Sequence, residues 1–157
     1  MKAKWMVVLA VALLFSGCGE RATTGPKIQK LTAGAFSVEV EDFTLTSAEV
    51  QKLAEASGGK VVMLQDEYGE AEATIQLGKG DYEVIVYAYG ASFDEDAFFL
   101  TIGNQAEERL WPEAPGELLP TQDVVHLTQD ADGPCTIVLR FGEPNVQLDR
   151  VVFKPAQ

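Results

Sequence analysis

This sequence predicts an all-β fold, a sandwich or jelly roll, and three observations carry that reading. Short runs rich in β-branched and aromatic residues recur from residue 36 onward, turn-forming residues separate them, and no internal repeat or low-complexity tract is present. The runs cover residues 36–41, 60–64, 73–77, 82–89, 97–102, 123–127, 135–141 and 146–153. Between them stand Gly58 and Gly59, the Gly78 Lys79 Gly80 Asp81 stretch, Asn104, Asp132 Gly133 Pro134, and Gly142 Glu143 Pro144, residue types that reverse the chain at low conformational cost.

Within the first run, Val38 Glu39 Val40 Glu41, a period of two places both glutamates on one face of an extended strand and both valines on the other. In the last run, Asp149 shares its face with Val151 and Phe153, so its carboxylate is expected to be partly buried. A carboxylate is costly to desolvate without a partner, and several held together repel unless a cation stands between them. Calcium suits such a set, because it takes about 6 to 8 hard oxygen ligands. One segment resists the β reading. Thr46 Ser47 Ala48 Glu49 has the form of a helix capping box, and Val50, Leu53 and Ala54 keep helical spacing. Read locally, residues 46–56 are a helix.

The first residues have the layout of an export signal. Lys2 and Lys4 precede an apolar run ending at Phe15, which is shorter than the roughly 20 residues of a membrane span and is followed by Ser16 Gly17 Cys18. Small residues before a cysteine at the end of such a run resemble the lipobox of bacterial lipoproteins, with Phe15 where leucine is usual. Residues 1–17 are therefore expected to be cleaved and Cys18 to carry lipid at the cell envelope, either at the outer membrane or on the cell surface. Residues 18–34 are polar, with Gly25, Pro26 and three basic residues, and read as a tether some 20 to 25 Å in mean extent. The domain proper is placed at residues 35–157.

Loss of Lys2 and Lys4 leaves 10 basic against 24 acidic residues, a formal charge of −14, which makes nucleic acid a poor partner. With Cys18 lipidated, Cys135 has no disulfide partner, and its place at the head of Thr136 Ile137 Val138 Leu139 marks it as a small core residue. The single histidine, His126, lies in the apolar run Val124 to Leu127 and reads as a strand residue. No phosphate loop, Cys/His metal cluster or nucleophile elbow occurs, and Asp94 Glu95 Asp96 reads as a charged loop rather than a pair of carboxylates facing across a cleft. The expectation is that the chain is not an enzyme.

The order of motifs resembles the carbohydrate-binding modules of families six and thirty-five, within the galactose-binding-like β-sandwich superfamily. Glu39 Val40 Glu41 resembles their opening Glu-Ala-Glu strand, and Ser57 Gly58 Gly59 Lys60 Val61 Val62 their small-residue turn before a strand. Gly80 to Tyr89 resembles their long strand, and Pro144 Asn145 Val146 Gln147 Leu148 Asp149 their closing strand. The resemblance implies a jelly-roll sandwich, strand and turn rather than helix over residues 46–56, and a structural calcium on Glu39, Glu41 and Asp149. The alternative for those carboxylates is a solvated acidic edge with Arg150 or a lysine as counter-ion. The resemblance further implies a glycan site in the loops at one edge. There Asn145 would bond sugar hydroxyls, Trp111, Tyr89 or Phe93 would stack on the pyranose face, and Asp94 would add a polar contact. The acidic surface tilts the ligand toward neutral glycans. Val86 departs from the arginine of many relatives and Arg150 from an aromatic, so a decayed site serving envelope structure or docking an envelope protein is the competing expectation.

Overall fold

Alternation of core-facing and outward-facing side chains builds two antiparallel sheets from these runs. The computed structural model describes residues 34–157; the expected leader, Cys18 and all of the tether but its last residue lie outside the described residues. The strands, in chain order, are β1 (Phe36–Glu39), β2 (Thr44–Thr46), β3 (Ala48–Lys52), β4 (Lys60–Leu64), β5 (Glu70–Leu77) and β6 (Gly80–Tyr89). They continue with β7 (Phe98–Ile102), β8 (Glu108–Leu110), β9 (Leu118–Pro120), β10 (Val125–Gln129), β11 (Gly133–Phe141) and β12 (Gln147–Pro155). One sheet runs β2-β5-β11-β7-β8. The other runs β10-β6-β12-β4-β3, with β1 added to β12 and β9 to β6. The all-β jelly-roll expectation is borne out.

The core lies between the sheets. In β5 and β11 every second residue is buried, including Ala73, Ile75, Leu77, Ile137 and Leu139. Phe153 of β12 is fully buried, stacked on Phe36 at 4.7 Å between ring centroids and met edge-on by Tyr82 at 6.4 Å. These contacts fasten the first strand to the last. An aromatic ring buried this completely is worth roughly 2 to 3 kcal/mol in transfer terms alone.

Residues 46–56 form no helix. Ala48–Lys52 pairs antiparallel with β4, Val50 against Val62, so the capping-box pattern loses to cross-strand pairing. Leu53 to Gly59 then turns back, with the Leu53 amide bonding the Gly59 carbonyl at 3.2 Å and Gly59 at φ +71°, a conformation glycine adopts without penalty. A correction applies at the opening run. The strand ends at Glu39, and Val40–Asp42 form a 3-10 turn closed by the Phe43 amide on the Val40 carbonyl at 3.1 Å. Burial of Val40 drives that turn, so Glu39 and Glu41 do not share a strand face by a period of two. The last strand is likewise irregular: its register against β6 shifts between Leu148 and Arg150, making Asp149 the extra residue of a bulge.

Candidate functional site

The bulge falls where β12 changes partners. Along one edge Gln147 and Leu148 pair with β4, while Arg150 to Phe153 pair with β1. Asp149 sits at this junction with no exposed surface, facing the end of β1 and the turn before β4. Ser57 of that turn joins two carboxylates. Its amide donates to Asp149 Oδ1 at 3.0 Å, and its hydroxyl donates to Glu39 Oε1 at 2.6 Å. Gly58 lies against Glu41, where a Cβ would come within 2.4 Å of Glu41 Oε1 and 3.7 Å of Glu39 Oε2. The turn therefore gathers Glu39 and Glu41 from the start of the domain and Asp149 from its last strand.

Two oxygens in this group, Glu39 Oε2 and Glu41 Oε2, are buried and accept no hydrogen bond. Burial pushes the Glu41 carboxyl above its usual range, the negative charges of Glu39 and Asp42 push it further, and a backbone hydrogen bond and Lys60 partly offset them. Asp149 is differently placed. Both its oxygens have donors, Ser57 N on one and the Arg150 guanidinium on the other, and Arg150 lies over the Tyr87 ring with Cζ 3.8 Å from the centroid. The donor set, all hard oxygen with two orphaned atoms, suits a cation of the calcium type. As the side chains stand, however, no group of three or more His, Cys, Asp and Glu among the described residues is arranged to hold a metal. Asp149's second oxygen accepts the Arg150 guanidinium.

At one pole of the sandwich, the loops after β6, β8 and β11 interlock. The Gly116 amide bonds the Gly90 carbonyl at 2.8 Å. Glu143 accepts the amides of Asp96 and Ala97, each at 3.1 Å, and pairs with Arg109. Its carboxyl is held below the usual range by these donors and by the Arg109 charge, which outweigh its burial. Asn145, at φ +67°, donates from its amide nitrogen to Glu95 Oε2 at 3.2 Å. Asn145 thus lies beside the loop that carries Phe93 and Asp94, both exposed, Phe93 by 73%.

Tyr89 looks elsewhere, into a 460 Å³ cleft shared with Leu53, Glu55, Gly116, Glu117 and Leu118. Trp111 is half-buried at the head of the loop from β8 to β9, its carbonyl accepting the Gln122 amide at 3.0 Å. The structure joins Asn145 to the Phe93 loop, and it does not place Tyr89 or Trp111 in a hydrogen bond or ring contact with Asn145. Sequence reasoning met Ser57, Glu143 and Glu95 only as turn and loop residues and Tyr87 only within a strand, gave none of them a role in a site, and did not reach Arg109. Their roles come from contacts between distant segments, which a single sequence does not carry. His126 is an exposed β10 residue opposite Glu83, and the Cys135 thiol is buried, which raises its pKa and makes it a poor nucleophile.

These loops crown a jelly-roll β-sandwich of the type built by carbohydrate-binding modules, and comparison with solved structures finds the same fold. The chain is similar to a family 35 carbohydrate-binding module from Clostridium thermocellum, at a TM-score of 0.61 and 19% identity over 76% of this chain and 98% of that one. It is similar to a second family 35 module, from Paenibacillus barcinonensis, at a TM-score of 0.61 and 14% identity over 77% and 99%. A β-(1,4)-mannanase of Podospora anserina that carries a module of this family matches at a TM-score of 0.68 and 18% identity over 80% of this chain. The chain spans 28% of the mannanase's length. No family model matches the sequence, and no curated protein sequence matches it.

Proposed function

We propose that this chain is a non-catalytic carbohydrate-binding lipoprotein that displays a calcium-stabilised β-sandwich at the cell envelope. The observation that supports it most is that the fold matches 98% and 99% of the length of two family 35 carbohydrate-binding modules. Glu39 and Glu41 would hold the calcium with their orphaned oxygens, joined by Asp149. The ion's chemistry there is structural: it would neutralise converging carboxylates and tie the first strand to the last. Asn145, Phe93, Asp94 and Trp111 would meet a neutral glycan at the loop pole, and Tyr89 would flank it from the adjoining cleft. Cys18 would carry the lipid, and residues 18–34 would hold the domain off the membrane.

A glycan array followed by calorimetry with and without chelator tests this. One neutral glycan class is expected to bind, with affinity falling up to about tenfold in Trp111→Ala and Phe93→Ala, the loss of one stacked ring. Binding of no sugar, with the protein folded and calcium present, would sink it. A second reading, docking of an envelope protein by a decayed site, has one observation in its favour: the Asn145 amide already bonds Glu95 within the protein.

A further inference from the structure

We infer that Arg150 is a built-in rival of the cation, occupying Asp149 when the ion is absent and yielding its oxygen when the ion binds. The inference rests on the calcium reading of the Glu39–Glu41–Asp149 group and goes beyond it, because it makes that site exchangeable. Asp149 is fully buried, and a buried carboxylate without a partner is strongly destabilising. The chain supplies the partner itself, from the next residue: the Arg150 guanidinium donates to Asp149 Oδ2.

The same carboxylate is the one a third-ligand role requires. An ion drawn to Glu39 Oε2 and Glu41 Oε2 and on to Asp149 meets a guanidinium already held by that carboxylate. A guanidinium and a divalent ion on one carboxylate repel each other, so the ion is held more tightly once Arg150 moves aside. The Tyr87 ring steadies Arg150 in this position, its centre 3.8 Å from Arg150 Cζ, and 22% of the arginine side chain's surface stays in solvent, into which it can withdraw. Lys60 adds a second positive charge near Glu41. Together these groups offset part of the clustered negative charge themselves, which weakens the site's hold on an ion and makes it exchangeable.

The test is calcium titration by calorimetry on the full chain freed of metal, together with thermal melting in chelator, for the wild type, Arg150→Gln and Tyr87→Leu. Arg150→Gln is expected to bind calcium about tenfold more tightly, since a charge-assisted hydrogen bond no longer competes, and to melt lower than wild type in chelator. Saturating calcium should close that gap. Tyr87→Leu removes the ring that steadies Arg150 on Asp149 but keeps the charge, and should tighten calcium binding by less than Arg150→Gln does. If Arg150→Gln does not fold in chelator, Arg150→Lys, which keeps a charge without the planar fork, is titrated in its place and should fall between the two. Equal calcium affinity in wild type and the Arg150 variant overturns the exchange while leaving the cation site standing. Calcium bound by neither overturns both.

Discussion

Two carboxylate sites in this molecule, Glu143 and the Glu39–Glu41 pair, have opposite fates. At the loop pole Glu143 is enclosed by two backbone amides and Arg109, and its carboxyl is held below the usual range. At the junction of β1, β4 and β12, Glu39 and Glu41 keep buried oxygens with no donor, and the Glu41 carboxyl is pushed up. The first group is closed by the protein's own hydrogen bonds and acts as a clamp between loops. The second is left open, and an open buried carboxylate marks a place where something outside the chain can contribute stability.

Calcium should separate the two groups most strongly. At 100 times its dissociation constant it should stabilise the protein by about 2.7 kcal/mol, or roughly 10 °C in melting temperature for a domain of this size. Glu39→Gln with Glu41→Gln should abolish that rise in scanning calorimetry, whereas Glu143→Gln should leave it intact. Backbone crowding gives the next contrast. A Cβ on Gly142 would lie 2.5 Å from the Ala97 carbonyl oxygen and 2.9 Å from Phe98 Cα, so Gly142→Ala should cost about 2 kcal/mol in urea denaturation. At Gly58 the obstacle is the end of the Glu41 side chain, which can swing away, so Gly58→Ala should cost about 1 kcal/mol or less in chelator. Its larger effect should be on calcium affinity, and equal losses at the two glycines would erase the distinction between backbone and side-chain obstruction.

Glu143→Gln itself should lower stability by about 1 to 2 kcal/mol at neutral pH, because the amide keeps one acceptor but loses the charge facing Arg109. The smallest contrast is in pH dependence, and its sign differs between the groups. Glu41 has a raised folded pKa, so its protonation favours the folded state; that contribution is complete below the ordinary carboxylate pKa and is lost as pH rises through the folded value. Glu143 has a lowered one, so its contribution is present above the ordinary carboxylate pKa and is lost as pH falls through the folded value. In chelator, Glu41→Gln should therefore be slightly more stable than wild type at neutral pH and lose the gain on acidification, while Glu143→Gln should lose part of the wild-type acid sensitivity. Urea denaturation across pH 3 to 7 reads both, and slopes of the same sign would contradict the division.

Much of the sandwich is legible from local pattern. Strict alternation in β5 and β11 and the turn residues at Gly58 Gly59 and Gly142 to Pro144 place strands and reversals without reference to anything distant. The strands β8 and β9 escape that reading, because each is three residues long, they flank the prolines at 112 and 115, and β9 itself ends on Pro120. The carboxylates Glu39, Glu41 and Asp149 could be named from resemblance, yet the reason offered for the first pair, a shared strand face, fails at the Val40–Asp42 turn.

By itself, the sequence determined the alternation, the turns and the acidic balance, since each depends on neighbours within a few residues. Only the tertiary structure decided that Ser57 bridges Glu39 to Asp149, that Asp149 occupies a bulge, and that Arg150 rests between Asp149 and Tyr87. Those contacts come from the register of β12 against β1, β4 and β6 together, and register is set by how whole faces pack and not by any one strand's composition.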